Sequence, residues 1–261
     1  MLPLDRARAP CKTFVMRILV FQHVAIEHPA IFREFLKEDG IAWDAVELDA
    51  GEKIPSLAGY DQLWVMGGPM DTWQEAENPW LAAEKRAIRE AVVERGMPYF
   101  GVCLGHQLLA ASLGGKVGKA AQAEVGVLDV ELTEAGRADP FFAGIGGRFK
   151  ALQWHGAEVQ TPPAGAVVLA RSPLCAVQSM RVGKHAYGMQ YHCELLPQTV
   201  AEWAEIPAYA CSLDDTLGKG SMPRLKAAAE KEMAAMNRDA RRLYRNFMAA
   251  AGVAAKASAV Q

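Results

Sequence analysis

From Met16 to Val102, short apolar runs alternate with stretches long enough for a helix, and this alternation restricts the fold more than any other feature of the chain. Met16-Arg17-Ile18-Leu19-Val20-Phe21 reads as a first buried strand, Trp43 to Leu48 as a second and Leu63 to Met66 as a third. Ala30 to Glu38 reads as a helix closed by Gly40. A clearer helix follows. Asn78-Pro79 opens it, Trp80, Glu84, Ile88, Val92 and Val93 keep helical spacing, and Gly96-Met97-Pro98 stops it. Strands separated by helices pair in parallel, which predicts an α/β chain with a doubly wound, mostly parallel sheet and its functional site at the carboxyl ends of the strands. From about Val125 the texture changes to shorter strands with turn signals, among them Gly126 to Leu132 and Val167-Val168-Leu169-Ala170. These predict an antiparallel extension at the sheet's edge rather than a second domain.

The next strand runs into a motif that carries chemistry. Pro98-Tyr99-Phe100-Gly101-Val102-Cys103-Leu104-Gly105-His106-Gln107 is a β-like segment ending in Gly-x-Cys-x-Gly and turning directly into helix-like sequence. A nucleophile elbow has this form: small neighbours permit a sharp turn that exposes the central side chain. The N-terminal N–H groups of the following helix would favour a thiolate at Cys103. A free cysteine can equally be an inert packing residue, so the elbow alone leaves both readings open.

About ninety residues later comes Ala186-Tyr187-Gly188-Met189-Gln190-Tyr191-His192-Cys193-Glu194, again apolar and aromatic enough for a strand. Residues two apart on a strand share a face, so His192 and Glu194 are expected side by side, with Cys193 turned away as a packing residue. Cys103, His192 and Glu194 then fit nucleophile, base and orienting acid. Asp61 to Asp71 adds a strand that breaks at Gly67-Gly68-Pro69. Glycine there lets a backbone N–H reach an oxyanion, with the N–H of Leu104 as the second donor.

Taken together and in this order, these segments resemble the class I glutamine amidotransferases, most closely the glutaminase domain of GMP synthase and its stand-alone relatives. Gln153-Trp154-His155-Gly156 matches that family's substrate-loop His-Gly, and Gln178-Ser179-Met180-Arg181 precedes the final Tyr-Gly-x-Gln-x-His. The similarity extends over about residues 17 to 203. It implies a flavodoxin-like glutaminase fold, a catalytic Cys103, His192 and Glu194, an oxyanion hole at Gly68 and Leu104, and substrate contacts from Gln107, Gly67, Trp154, His155 and Gly156. The implied substrate is glutamine or another γ-glutamyl amide, and the implied partner a separate synthase that takes the ammonia. Two departures stand out: Cys193 replaces a usual proline, and Ala157-Glu158 follows the His-Gly where an aspartate is common. The alternatives are an autonomous hydrolase of a different γ-glutamyl conjugate, or a non-catalytic redox or binding relative with an elbow cysteine.

The remaining features narrow the setting. Charges nearly balance at −2 in 261 residues, 51% of them apolar, and no basic stripe suggests nucleic acid. No apolar run reaches the roughly twenty residues of a membrane span. Five cysteines without a Cys-x-x-Cys pair point to a reducing cytoplasm, and six histidines without metal spacing point to no structural metal. No cofactor motif is present. Residues 1–15 read as a flexible leader, 16–250 as one domain and 251–261 as a disordered tail. Within that domain, 221–250 reads as an appended helix with an apolar stripe at Leu225, Ala229, Met233, Met236, Leu243 and Phe247. The stripe can pack on its own domain, on a second copy to give a homodimer, or on a synthase.

Overall fold

The structure, a computed structural model, describes residues 16–252. The leader and the last nine residues of the tail lie outside the described residues. In chain order the elements are β1 (Arg17–Gln22), α1 (Phe32–Asp39), β2 (Ala42–Glu47), β3 (Gln62–Val65), α2 (Trp80–Arg89), β4 (Tyr99–Val102), α3 (Leu104–Ser112) and β5 (Lys116–Leu132). They continue with α4 (Glu134–Ala138), β6 (Arg148–Thr161), β7 (Ala166–Arg171), β8 (Ser179–Val182), β9 (Ala186–Met189), α5 (Thr199–Trp203), α6 (Pro207–Leu217) and α7 (Met222–Ala250).

All nine strands form one sheet in the order β2-β1-β3-β4-β9-β8-β7-β5-β6. The first five of that order pair in parallel, and from β9 outward every pairing is antiparallel. This is the α/β arrangement that the alternation predicts, with the edge extension in place. Within β1 the pleat sends Ile18 and Val20 to one layer and Leu19 and Phe21 to the other, so the parallel core is buried on both faces. One layer is rich in aromatic rings, with Phe100 set 5.1 Å from Phe247 and 5.3 Å from Trp64. The other packs Leu81, Ile88 and Ala91 of the α2 region against Leu104, Leu108 and Leu109 of α3.

Several boundaries differ from the sequence reading for identifiable reasons. Helix α1 starts at Phe32 rather than Ala30, because Ala30 takes a left-handed φ of 44°. The last turn after α2 widens into a π-type turn over Glu90–Glu94, which leaves Val93 exposed rather than on the buried stripe. Gln153 to Gly156 lies within β6, so the expected substrate loop is a strand. Strand β9 stops at Met189, and His192 meets the sheet only through an isolated bridge to Leu152. The stripe of α7 is spent inside the chain: Leu225, Ala229, Met236, Leu243 and Phe247 are buried in the aromatic-rich core, with Met233 packed against it.

Candidate active site

Strands β3 and β4 end side by side, and their carboxyl ends deliver Gly67-Gly68 and Cys103 to the same place. Cys103 has φ 52° and ψ −104°, a backbone conformation that an L side chain rarely adopts. Its N–H is fixed by Met189 O at 2.8 Å. The strain therefore sits on the cysteine itself, and the flanking glycines serve close packing instead. A Cβ on Gly105 would stand 2.1 Å from Val65 O, and one on Gly101 would stand 2.7 Å from the Gly105 carbonyl. Leu104 is the first residue of α3, so its N–H is one of the donors a helix leaves unsatisfied.

His192 and Glu194 meet although neither is on a strand. The chain leaves β9, bridges to Leu152 through both backbone groups of His192 at 2.8 and 2.9 Å, and turns back so that His192 Nδ1 lies 2.7 Å from Glu194 Oε1. The second oxygen, Glu194 Oε2, accepts the Cys193 N–H at 2.9 Å. A proline at 193 has no such N–H, so the departure noted in the sequence adds a donor to the carboxylate. Cys193 itself is fully buried in the core, as expected. Burial works against a charged imidazole at His192. The Glu194 charge and hydrogen bond, together with the nearby Cys103, outweigh it, holding His192 well above the ordinary histidine range. Trp203 packs against the same ring at 4.5 Å.

A narrow pocket of ≈ 60 Å³ opens onto Cys103, with Gly68, Leu104, Gln107, Trp154, His155 and Gly156 in its wall. Six sequence-predicted residues thus share one cavity with the cysteine. Gln107 spends both amide protons internally, on Ala157 O at 3.2 Å and Gln190 Oε1 at 3.0 Å, which leaves its carbonyl oxygen for a ligand. Gln190 in turn directs its amide toward Cys103 Sγ at 3.6 Å. Asp71 brings a carboxylate to this wall, and partial burial raises it above the usual aspartate range against the pull of Lys119. Gly67 lies behind the pocket, in a crevice with His192 and Glu194.

Two buried groups escaped the sequence reading. Glu27, in the turn after β1, fills the space where a Cβ of Gly67 would be, only 1.9 Å from its Oε2, and accepts a hydrogen bond from Tyr209 of α6. Burial raises Glu27 above the usual carboxylate range, partly offset by the charge of His192 and the Tyr209 bond. Tyr209 also lines the pocket, so α6 roofs the site. Continuing from His155, the side chains of His155, Glu124 and Cys175 bring potential metal-ligating atoms within 4.8 Å of one another. The Glu124 oxygens already accept from Ser172, Gln178 and His155 at 2.7, 2.7 and 3.2 Å. Burial pushes the Cys175 thiol up to about 12, so this cluster is built as a hydrogen-bond network.

A family comparison decides what this arrangement is related to: the description "glutamine amidotransferase class-I" matches residues 31–202, a span that contains both the elbow and His192. The chain belongs to the class I glutamine amidotransferases. It is accordingly an enzyme of the amidotransferase or glutaminase type. Among curated relatives of this family it is similar to the glutamine amidotransferase-like protein YfeJ of Salmonella typhimurium, 33% identical over 191 residues, 71% of this chain and 78% of that protein. It is also similar to one subunit of the glutamine-hydrolysing GMP synthase of Sulfolobus acidocaldarius, 31% identical over 58% of this chain and 77% of that relative. Among solved structures, a glutamine amidotransferase from Thermotoga maritima superposes with a TM-score of 0.80 at 29% identity, covering 90% of this chain and 98% of that one. Among the described residues, no helix is long and apolar enough to cross a membrane.

Proposed function

We propose that the protein hydrolyses a γ-glutamyl amide, with glutamine giving glutamate and ammonia, through a γ-glutamyl thioester on Cys103. The observation that carries this reading is the convergence of the strained elbow cysteine with the His192–Glu194 pair, whose imidazole lies 2.7 Å from the carboxylate and close enough to Cys103 for the cysteine's charge to act on the ring. The Cys103 sulfur adds to the amide carbonyl carbon, and the N–H groups of Gly68 and Leu104 receive the oxyanion. The C–N bond then breaks as His192 gives its proton to the departing amine. Water next attacks the thioester, His192 takes the water proton, and the C–S bond breaks to return the sulfur as thiolate. Glu194 keeps Nδ1 protonated and aims Nε2 at the sulfur throughout.

The pocket offers acceptors rather than cations to the far end of the substrate. Asp71 and the free carbonyl oxygen of Gln107 suit an α-ammonium group, and Trp154, His155 and Gly156 line the same pocket. Asp71 thereby takes the place of the acid missing after His155-Gly156. The ammonia is either released to solvent or taken up by a separate synthase, the latter by analogy with the relatives that are components of GMP synthase. The test is release of ammonia and glutamate by the purified chain from glutamine and a panel of γ-glutamyl amides, beside Cys103→Ala. Cys103-dependent turnover supports the proposal. Turnover that survives Cys103→Ala, or its absence both alone and with the ATP-pyrophosphatase component of a GMP synthase, refutes it.

A further inference from the structure

Behind the glycine turn lies a second histidine–acid pair with no part in the proton transfers above. His23, one residue past β1, places Nδ1 2.8 Å from Gly67 O and Nε2 2.8 Å from Glu84 Oε1 of α2. Both side chains are wholly buried. Trp80 stacks on the imidazole at 5.4 Å, and the His23 Cβ lies against Gly68, where an added Cβ would meet it at 2.8 Å. Glu84 interrupts the apolar stripe of α2, and its Oε2 has no hydrogen-bond partner among the described residues. A buried carboxylate in so apolar a place is costly unless its partner matters.

A carbonyl oxygen only accepts, so the 2.8 Å contact makes His23 Nδ1 the donor to Gly67 whichever of His23 and Glu84 holds the shared proton. The Gly67–Gly68 peptide is trans, which points the Gly68 N–H away from the Gly67 carbonyl. Pinning that carbonyl on His23 fixes the direction of the Gly68 N–H, and Gly68, Cys103 and Leu104 together border the pocket. We propose that His23, held by Glu84, is the positioning residue that fixes the Gly67–Gly68 peptide with its N–H aimed into the oxyanion hole. The inference rests on the thioester mechanism proposed above and deepens it: the chain sets its own oxyanion donor, with no partner protein needed to turn the peptide. The raised proton affinity of His23, which Glu84 and Gly67 sustain against burial, agrees with a doubly donating ring.

The oxyanion forms only in the transition state, so losing its donor lowers kcat and leaves KM alone. Alkylation of Cys103 by iodoacetamide passes through no oxyanion and reports the thiolate and His192 separately. The test compares wild type with His23→Phe, which keeps a ring on Trp80 but has no donor. It adds His23→Phe/Glu84→Leu, which also removes the stranded carboxylate and protects the fold. Both variants are expected to lose on the order of 10²-fold in kcat, the usual effect of one oxyanion donor, with KM and the rate and pH profile of alkylation unchanged. Active wild type together with variants whose kcat stays within about threefold would overturn the inference alone. So would a parallel fall of kcat and alkylation, which marks collapse of the elbow. Wild type inert alone but active with the ATP-pyrophosphatase component of a GMP synthase would overturn this inference, and wild type inert under both conditions would overturn the hydrolase reading and this inference with it.

Discussion

Replacing Gly105 by alanine tests whether the elbow is set by close packing of α3 on β3. The new Cβ would stand 2.1 Å from Val65 O and 2.8 Å from its carbonyl carbon, both backbone atoms that cannot swing aside. A carbon–oxygen contact is comfortable only at about 3.3 Å, so the first turn of α3 must retreat by about 1 Å. That retreat breaks the Gly105 N–H bond to Met66 O, now 3.2 Å, and strains the Tyr99 hydroxyl bond to Gly105 O, now 2.7 Å. Overpacking of about 1–3 kcal/mol and a lost hydrogen bond of about 1 kcal/mol give roughly 2–4 kcal/mol of destabilisation. For a chain of this size that is a fall in Tm of about 5–15 °C. The same 1 Å carries Leu104 N–H and Cys103 Sγ off the substrate, worth on the order of 10²-fold in kcat. Calorimetry and a coupled ammonia assay, run well below the variant's Tm, read the two effects separately. A variant that loses stability but keeps kcat would refute the claim that this contact places the nucleophile, and one that loses neither would refute the packing argument.

Glu194→Gln removes the charge that outweighs burial at His192, so the imidazole should lose its proton at a lower pH. Ammonia release is expected to drop by about 10²- to 10⁴-fold, and the pH profile of Cys103 alkylation to shift toward acid; an unshifted profile would count against the pairing. Cys193→Pro deletes the 2.9 Å N–H donor to Glu194 Oε2 while Cys193→Ala keeps it. About 1.5 kcal/mol for a bond to a charged group predicts about tenfold lower kcat in the proline variant alone, and equal kcat in the two variants would show that the donor is idle. Glu27 is raised above its unfolded value, so its contribution to stability is full below about pH 4.3 and is lost as pH rises through its folded pKa. Glu27→Gln, still able to accept from Tyr209, should therefore show a Tm that declines less than that of wild type between about pH 5 and 8, and superimposed slopes would contradict the assignment.

Much of this arrangement can be read from the sequence because its causes are local. Strands such as Ile18 to Phe21 are apolar on both faces, which only a sheet covered twice requires, and the elbow is written in consecutive residues. His192 and Glu194 were legible as a pair, yet the backbone that joins them was not. The spacing suggests a strand, whereas the chain leaves β9 at Met189 and the pair forms in the segment beyond. The resemblance places Trp154-His155 in a substrate loop, but the pairing of β6 with β5 puts both residues on a strand. Glu27 and Tyr209 lie 182 residues apart, and no periodicity connects them. Glu84 did leave a signal, a carboxylate at a position where the spacing of α2 calls for an apolar residue, and the histidine that it needs is 61 residues away.

In the proposed mechanism Cys103 carries the γ-glutamyl group during turnover. Acid quenching of the protein with glutamine, or with its best amide substrate, followed by intact-mass and peptide mass spectrometry, tests it most directly. An adduct of one γ-glutamyl group is expected on the peptide containing Cys103, sensitive to hydroxylamine and absent from Cys103→Ala. Amide turnover at full rate with no adduct on Cys103 under rapid quenching, or an adduct on another residue, would contradict it.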